Sequence, residues 1–236
     1  MKRPIAITFA LPVESSNFLS RLSGKTSVIR NGINAIRGRI GDNEVEILHT
    51  GVGEAICQHR IENFLRAQNV DFLISSGFAG AVGEDLQVGD LMLAENFSEP
   101  QLLSTAKRIL QTRAVHAGTL FTSATMISSK AERVAIAQAH DAAAIDMETK
   151  SIANACSICG IALLSLRVIS DSPRDPLPAP PDVLFDIERQ GTPFLRLAAY
   201  AVKEPAVVVR LLRFQRQLAK ARDTLSDAIV SVVGKF

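Results

Sequence analysis

The sequence predicts a single α/β domain in three layers, a largely parallel central sheet with helices on both faces. Three observations carry this. Short apolar runs such as Ile5–Ala10 and Ile161–Ile169 lack polar alternation, as strands buried on both faces do. Helical patterns separate these runs, and strand alternating with helix builds parallel crossovers. The length of 236 residues, 47% hydrophobic and 21% charged, suffices for one large core.

In chain order, Ile5–Ala10 is the first buried strand, Leu11–Glu14 a turn and Ser15–Leu22 a short helix. Val28–Ile40 and Glu44–His49 are paired strands about the turn 41–43. "TGVGEA" (50–55) is a glycine turn into a helix near Ala55–Ala67. Val70–Ser75 is a buried strand, "SGFAGAV" a loop after it, and Gly89–Asn96 another strand. Lys107–Ala114 is helical or irregular, Thr119–Met126 extended, and Ser129–Ala139 a helix opened by serine. Ala142–Asp146 is a short strand, Glu148–Cys159 a helix stopped by Gly160, and Ile161–Ile169 the last strand. "SDSPRDPLPAPPD" is a proline-rich loop, read as a surface lid. Helical stretches at Pro181–Val202 and Pro205–Val233 finish the chain.

Composition narrows the function. A net charge of +2, no Trp and a single Tyr give no signal for nucleic acid and no stacking platform. The three Cys (57, 156, 159) lack zinc spacing and read as reduced core thiols, although Cys156 and Cys159 form a CxxC-like pair. The four His (49, 59, 116, 140) are scattered, so no metal is expected. The basic tip and apolar run at the start could suggest a signal peptide, but Pro12 and Glu14 interrupt it, so a buried strand and a cytoplasmic enzyme are the expectation.

Ligands of such sheets bind beyond the carboxyl ends of the strands. There Glu14, Glu148 and Asp171 stand out, each following an apolar strand or opening a helix. Glu148 shares a helical stripe with Ile152, Ala155 and Cys159, an expensive place for a carboxylate unless a polar cavity opens there. Arg167, inside a buried strand, needs an acid beside it and could partner one of the three. The alternative is a set of helix-capping carboxylates and a strand-end Arg at the rim of the sheet.

"TGVGEA", "LISSGFAGAV…LQVGDLML", "AAIDMETKSIANAC" and "LRVISDSP" resemble, in order and spacing, the signature segments of the nucleoside phosphorylase/nucleosidase superfamily. The methylthioadenosine/S-adenosylhomocysteine nucleosidases are the most similar branch. "GVGEAI" lacks the third glycine of a dinucleotide fingerprint. The resemblance implies a nucleoside phosphorylase-like fold with a mixed, mostly parallel sheet, a homodimer, no cofactor, and cleavage of a ribosyl N-glycosidic bond. By position, Asp171 is the acid at the purine ring nitrogen, with Ser170 beside it, and Glu148 holds the ribose hydroxyls, with Met147 on the sugar. Glu14 activates the attacking water, Arg167 organises that end, and Met126 and Ile127 line the base pocket. Phe78 stands where the nucleosidases carry a small polar residue, which implies a narrower or more apolar site.

Phosphorylases of the superfamily share "DME" and "SD" but carry arginines for phosphate; here one such position is Ser75, and "LPVESSNF" has no basic residue. Hydrolysis is therefore expected. Residues 1–202 are read as the catalytic domain and 203–236 as a basic amphipathic helix packed on or extending from it, with seven basic and three acidic residues. That helix covers the core with a solvated basic face, or else contacts an anionic membrane surface. With the proline loop it also resembles hopanoid-associated nucleosidases, which implies an adenosyl-lipid as one substrate to test. Non-catalytic nucleoside binding is the remaining alternative.

Overall fold

A computed structural model describes residues 3–66 and 70–236. Strand β1 (Ile5–Phe9) leads to helix α1 (Pro12–Ser20), then a meander of β2 (Ser23–Arg30), β3 (Ile33–Ile40) and β4 (Asn43–His49). Helix α2 (Glu54–Leu65), β5 (Leu73–Ala81), β6 (Leu91–Ala94), α3 (Pro100–Ile109), β7 (Val115–Thr122) and α4 (Lys130–His140) follow. β8 (Ala142–Asp146), α5 (Thr149–Cys159) and β9 (Leu163–Asp171) complete the sheet, and α6 (Pro181–Leu184), α7 (Phe194–Lys203) and α8 (Ala206–Val233) end the chain.

The nine strands run in the order β2-β3-β4-β1-β5-β8-β7-β6-β9, and β9 also pairs with β5. The sheet is mixed: β1 is parallel to β4 and β5, whereas β5–β8 and β6–β9 are antiparallel. Because β9 returns to β5, five strands close into a ring beside an open flank. β5 belongs to both. Its first half pairs with β1, and its last residues, Gly80 and Ala81, pair with β8. Glycines and a register shift between Ala79 and Gly80 let one strand make that turn.

Alternation places the core on both faces. Ile5, Ile7 and Phe9 meet Leu225, Ile229 and Val232 of α8 on one side. Ala6 faces the other way, among residues that include Ile61 and Phe64 of α2 and Ile152 of α5. All nine residues of β9 are buried, as its unbroken apolar run predicts. The C-terminal half of α8 is thus core, whereas its first half turns Val209, Leu212, Arg213, Arg216 and Lys220 outward. No helix among the described residues is long and apolar enough to cross a membrane.

Several expectations are corrected. Val28–Ile40 is not one strand: Asn31 and Gly32, both at positive φ, turn the chain between β2 and β3. Glu14 lies inside α1, not in a turn, because Pro12 starts the helix. "SGFAGAV" is strand through Ala81, since small residues fit a crowded sheet centre. The helix expected from Lys107 begins at Pro100, capped by Glu99. Pro181–Val202 breaks into α6 and α7 around a turn at Asp186–Gly191. The expected end of the second helix at Ala67 lies outside the described residues.

Of the three free cysteines, Cys57 and Cys156 are buried but Cys159 is exposed, against the expectation of core thiols throughout. Burial pushes the Cys57 and Cys156 thiols up to about 12. Alkylation of the native protein with iodoacetamide at pH 8 should therefore add one label, at Cys159, and denaturant should expose all three. A second label on the native protein would contradict the packing of α2 against α5.

Candidate active site

Where β5 leaves β1 for β8, a cavity of about 510 Å³ opens. Glu14, Glu148 and Asp171 all line it, as do Phe78, Met126, Ile127, Met147 and Ser170. Arg167 alone of the expected site residues is not in the lining; it lies behind the wall, in the sheet.

Glu14 is the third residue of α1, where it both lines the cavity and caps the helix. Its Oε2 accepts the N–H of Leu11 at 3.0 Å, which caps the helix, and its Oε1 accepts the N–H of Phe78 at 3.2 Å. Gly77, at φ +150°, makes the space: a Cβ there would stand 3.1 Å from Oε1. Burial raises the Glu14 carboxyl above its ordinary value, partly offset by these N–H donors and the charge of Arg167.

Arg167 pairs with none of the three expected acids. Its Nε and Nη2 donate to Asp146 Oδ2 at 3.1 and 2.9 Å, and Nη2 also reaches Ser75 Oγ at 2.8 Å and Thr149 Oγ1 at 2.6 Å. The acid of "DME" that sequence reasoning passed over is thus the counter-ion. Asp146 further accepts from Thr122 Oγ1 at 2.8 Å and from the N–H of Thr149 at 3.1 Å. Arg167 Nη1 is buried without a hydrogen-bond partner among the described residues.

Glu148 is the poorly compensated member. It sits at the N-cap of α5 but makes no side-chain cap bond; its Oε1 accepts the N–H of Gly53 at 3.1 Å. Gly53 stands at φ +95°, so "TGVGEA" serves to turn one backbone donor toward this carboxylate. Burial, then the nearby Asp146 charge, pushes Glu148 up to about 8.

Asp171 ends β9. Ser170 Oγ donates to its Oδ1 at 2.6 Å, and Arg133 Nη2 donates to its Oδ2. Arg133, on α4, is only 3% exposed and also donates to the carbonyls of Ala81 and Ile127. It is not among the residues that the sequence singles out. The signal for it was weak: α4 carries few large apolar residues, so its buried face had to include something else. The apolar wall formed by Leu177, Leu184, Phe185, Phe214 and Leu218 was also not foreseen. Those residues come from the proline loop, α6 and its flank, and α8, which nothing in sequence joins to the strand ends.

The family model of the Phosphorylase superfamily matches residues 4–107 and 95–203. The chain belongs to the Phosphorylase superfamily. Among curated relatives, the 5'-methylthioadenosine/S-adenosylhomocysteine nucleosidase of Chromohalobacter salexigens is 25% identical over 201 residues, 72% of this chain and 84% of that one. Its counterpart from Staphylococcus haemolyticus is 22% identical over 195 residues, 71% of this chain and 86% of the relative. Among solved structures, the Neisseria meningitidis 5'-methylthioadenosine/S-adenosylhomocysteine nucleosidase in complex with methylthio-immucillin-A superposes with a TM-score of 0.75 at 17% identity, over 99% of this chain and 100% of that one. Native Helicobacter pylori futalosine hydrolase gives 0.75 at 18%, over 99% and 98%. At these identities the superpositions establish the superfamily fold.

The electrostatics of Glu148 carry a stability consequence. Its carboxyl is raised in the folded protein, so the native state holds a proton that the unfolded chain releases between about pH 4.5 and 8. Stability from this group is complete below that window and is lost as pH rises through it. Glu148→Gln should therefore raise Tm at pH 9 by at least about 2–4 °C, the shift for ~1 kcal/mol in a chain this long, and leave it unchanged at pH 4.5. Differential scanning calorimetry across pH checks this, and an offset independent of pH would refute it.

Proposed function

We propose that the protein is a purine nucleosidase that hydrolyses the N-ribosidic bond of an adenine nucleoside. The observation that carries this reading is the convergence of Glu14, Glu148 and Asp171 on one cavity. The adenine anion is a poor leaving group, so an acid at its ring nitrogen must remove the charge as the bond breaks; Asp171 takes that role. The sugar becomes oxocarbenium-like; Glu148 takes its hydroxyls in hydrogen bonds while Met147 packs on the ring. Glu14 accepts a proton from the attacking water, and the charge of Arg167 behind the wall acts on that carboxyl. Burial raises the Glu14 carboxyl, which makes it a stronger base than an exposed glutamate.

Water is favoured over phosphate by the lining itself. Arg133 is the one cationic side chain there among the described residues, and Asp171 already holds it. A phosphate near Glu14 would face carboxylates with no free guanidinium in the cavity lining to bind it. The apolar wall of Leu177, Leu184, Phe185, Phe214 and Leu218 supports a finer reading, an adenosine whose 5′ substituent is apolar, up to an adenosyl-lipid. Exposed Phe194, Leu195, Val202, Val209 and Leu212, with Arg213, Arg216 and Lys220 nearby on α8, suit contact with the anionic surface that would present such a lipid.

The test is a panel of adenosine, 5′-methylthioadenosine, S-adenosylhomocysteine and a long-chain 5′-alkyl adenosine, with and without phosphate. Free adenine and a free sugar should appear at a rate independent of phosphate, and KM should fall as the 5′ chain grows. Asp171→Asn should lower kcat/KM by about 10²–10⁴-fold. Sugar 1-phosphate as product would sink the hydrolase reading, and binding without turnover would sink the enzyme. Co-sedimentation with phosphatidylglycerol vesicles but not with phosphatidylcholine vesicles is the expected membrane result; equal recovery with both would remove that contact.

A further inference from the structure

Glu148, which the nucleosidase reading sets at the sugar hydroxyls, takes one hydrogen bond among the described residues, from the N–H of Gly53 at 3.1 Å. That N–H belongs to the Val52–Gly53 peptide, and a trans peptide points its N–H and its C=O in opposite directions. Whatever holds the Val52 carbonyl therefore aims the donor at Glu148. Gln190, far along the chain, is what holds it. Its Nε2 donates to the Val52 carbonyl at 2.9 Å and its Oε1 accepts the Val52 N–H at 2.7 Å, so one side-chain amide engages both backbone groups of that residue. We propose that Gln190 is a positioning residue for ribose recognition: it fixes the Val52–Gly53 peptide so that Gly53 presents its N–H to Glu148 and sets that carboxyl for the sugar hydroxyls. The proposal rests on the nucleosidase reading above.

The chain on either side shows why a clamp is needed. Before it, the N–H groups of Thr50 and Gly51 donate to the carbonyls of Phe9 and Ala10 at 2.8 and 2.9 Å, which ties the end of β4 to β1. After it, the Gly53 carbonyl accepts the N–H of Cys57 at 3.1 Å as α2 begins. Between these anchors lies the Val52–Gly53 peptide, with glycines at φ +80° and +95° on either side of Val52, a backbone free to rotate it. Gln190 supplies the hold that sheet and helix do not. It stands at φ +52° in the turn that Asp186 and Gly191 close by mutual backbone hydrogen bonds. The turn packs on both glycines. A Cβ on Gly51 would stand 3.0 Å from Gln190 Oε1, and one on Gly53 would stand 3.3 Å from Ile187 Cγ2. Gln190 and Val52 both line the cavity, so the clamp is part of its wall.

Ribose preference reads the effect. The ratio of kcat/KM for an adenine nucleoside to that for its 2′-deoxy counterpart reports the contact between Glu148 and the 2′-hydroxyl. Gln190→Gly keeps the turn, since glycine takes positive φ without steric cost, and removes the amide. It should lower the ratio about fivefold, the worth of one hydrogen bond. Gln190→Glu has the same length but no donor for the Val52 carbonyl, and should lower the ratio likewise. A general loosening of the wall would slow both nucleosides alike and leave the ratio in place. A second measurement needs no substrate. Amide hydrogen exchange followed by NMR should show the Gly53 N–H exchanging at least about fivefold faster in Gln190→Gly, with the amides of β4 unchanged. An unchanged ratio, or Gly53 exchange that matches the wild type, would overturn the proposal while wild-type turnover upheld the nucleosidase. Absence of base release from the wild-type protein would end both.

Discussion

Placing four carboxylates around one hollow is the constraint on which this structure turns. Each loses hydration, and each must regain it from the fold. Asp146 is repaid most fully, by Arg167 and two threonines. Asp171 has Ser170 and Arg133, and Glu14 has two backbone N–H groups. Glu148 has one, and is the carboxyl pushed up to about 8. Acidic groups of one type thus acquire different chemistry through unequal compensation, which is the condition for dividing acid, base and binding roles among them.

The glycines of β5 are the backbone side of the same constraint. Gly77 stands against Glu14, and Gly80 against Asp171 and Arg133. A side chain at either position would occupy the volume in which a carboxylate is held. Phe78 between them contributes its N–H to Glu14 and a surface to the cavity wall. One short segment of strand therefore seats groups from α1, α4 and β9.

The sequence made most of this legible through apolar runs and strand ends. β1, β8 and β9 lie close to where continuous burial predicts them, and the acids that follow strands do converge. What sequence concealed was set by tertiary partners. Asp146 and Glu148 are two residues apart, and no pattern says which of them takes Arg167. Arg133 has no sequence mark of its role, which appears only when α4 packs on β8 and β7 and the guanidinium reaches the Ala81 carbonyl and Asp171. The closure of β9 onto β5 left no periodic trace, because a strand buried in a ring and one buried in an open sheet are equally apolar.

That closure sets Leu73 beside Leu163, and the strand it joins, β9, ends in Asp171. The entropy of closing so long a loop must be met before the pairing rewards it. Helix α8 backs β1 and walls the hollow. A chain folded through β9 with α8 still undocked would hold its acids at the strand ends but lack the wall of Phe214 and Leu218, so the hollow takes its shape from the meeting of elements far apart in sequence.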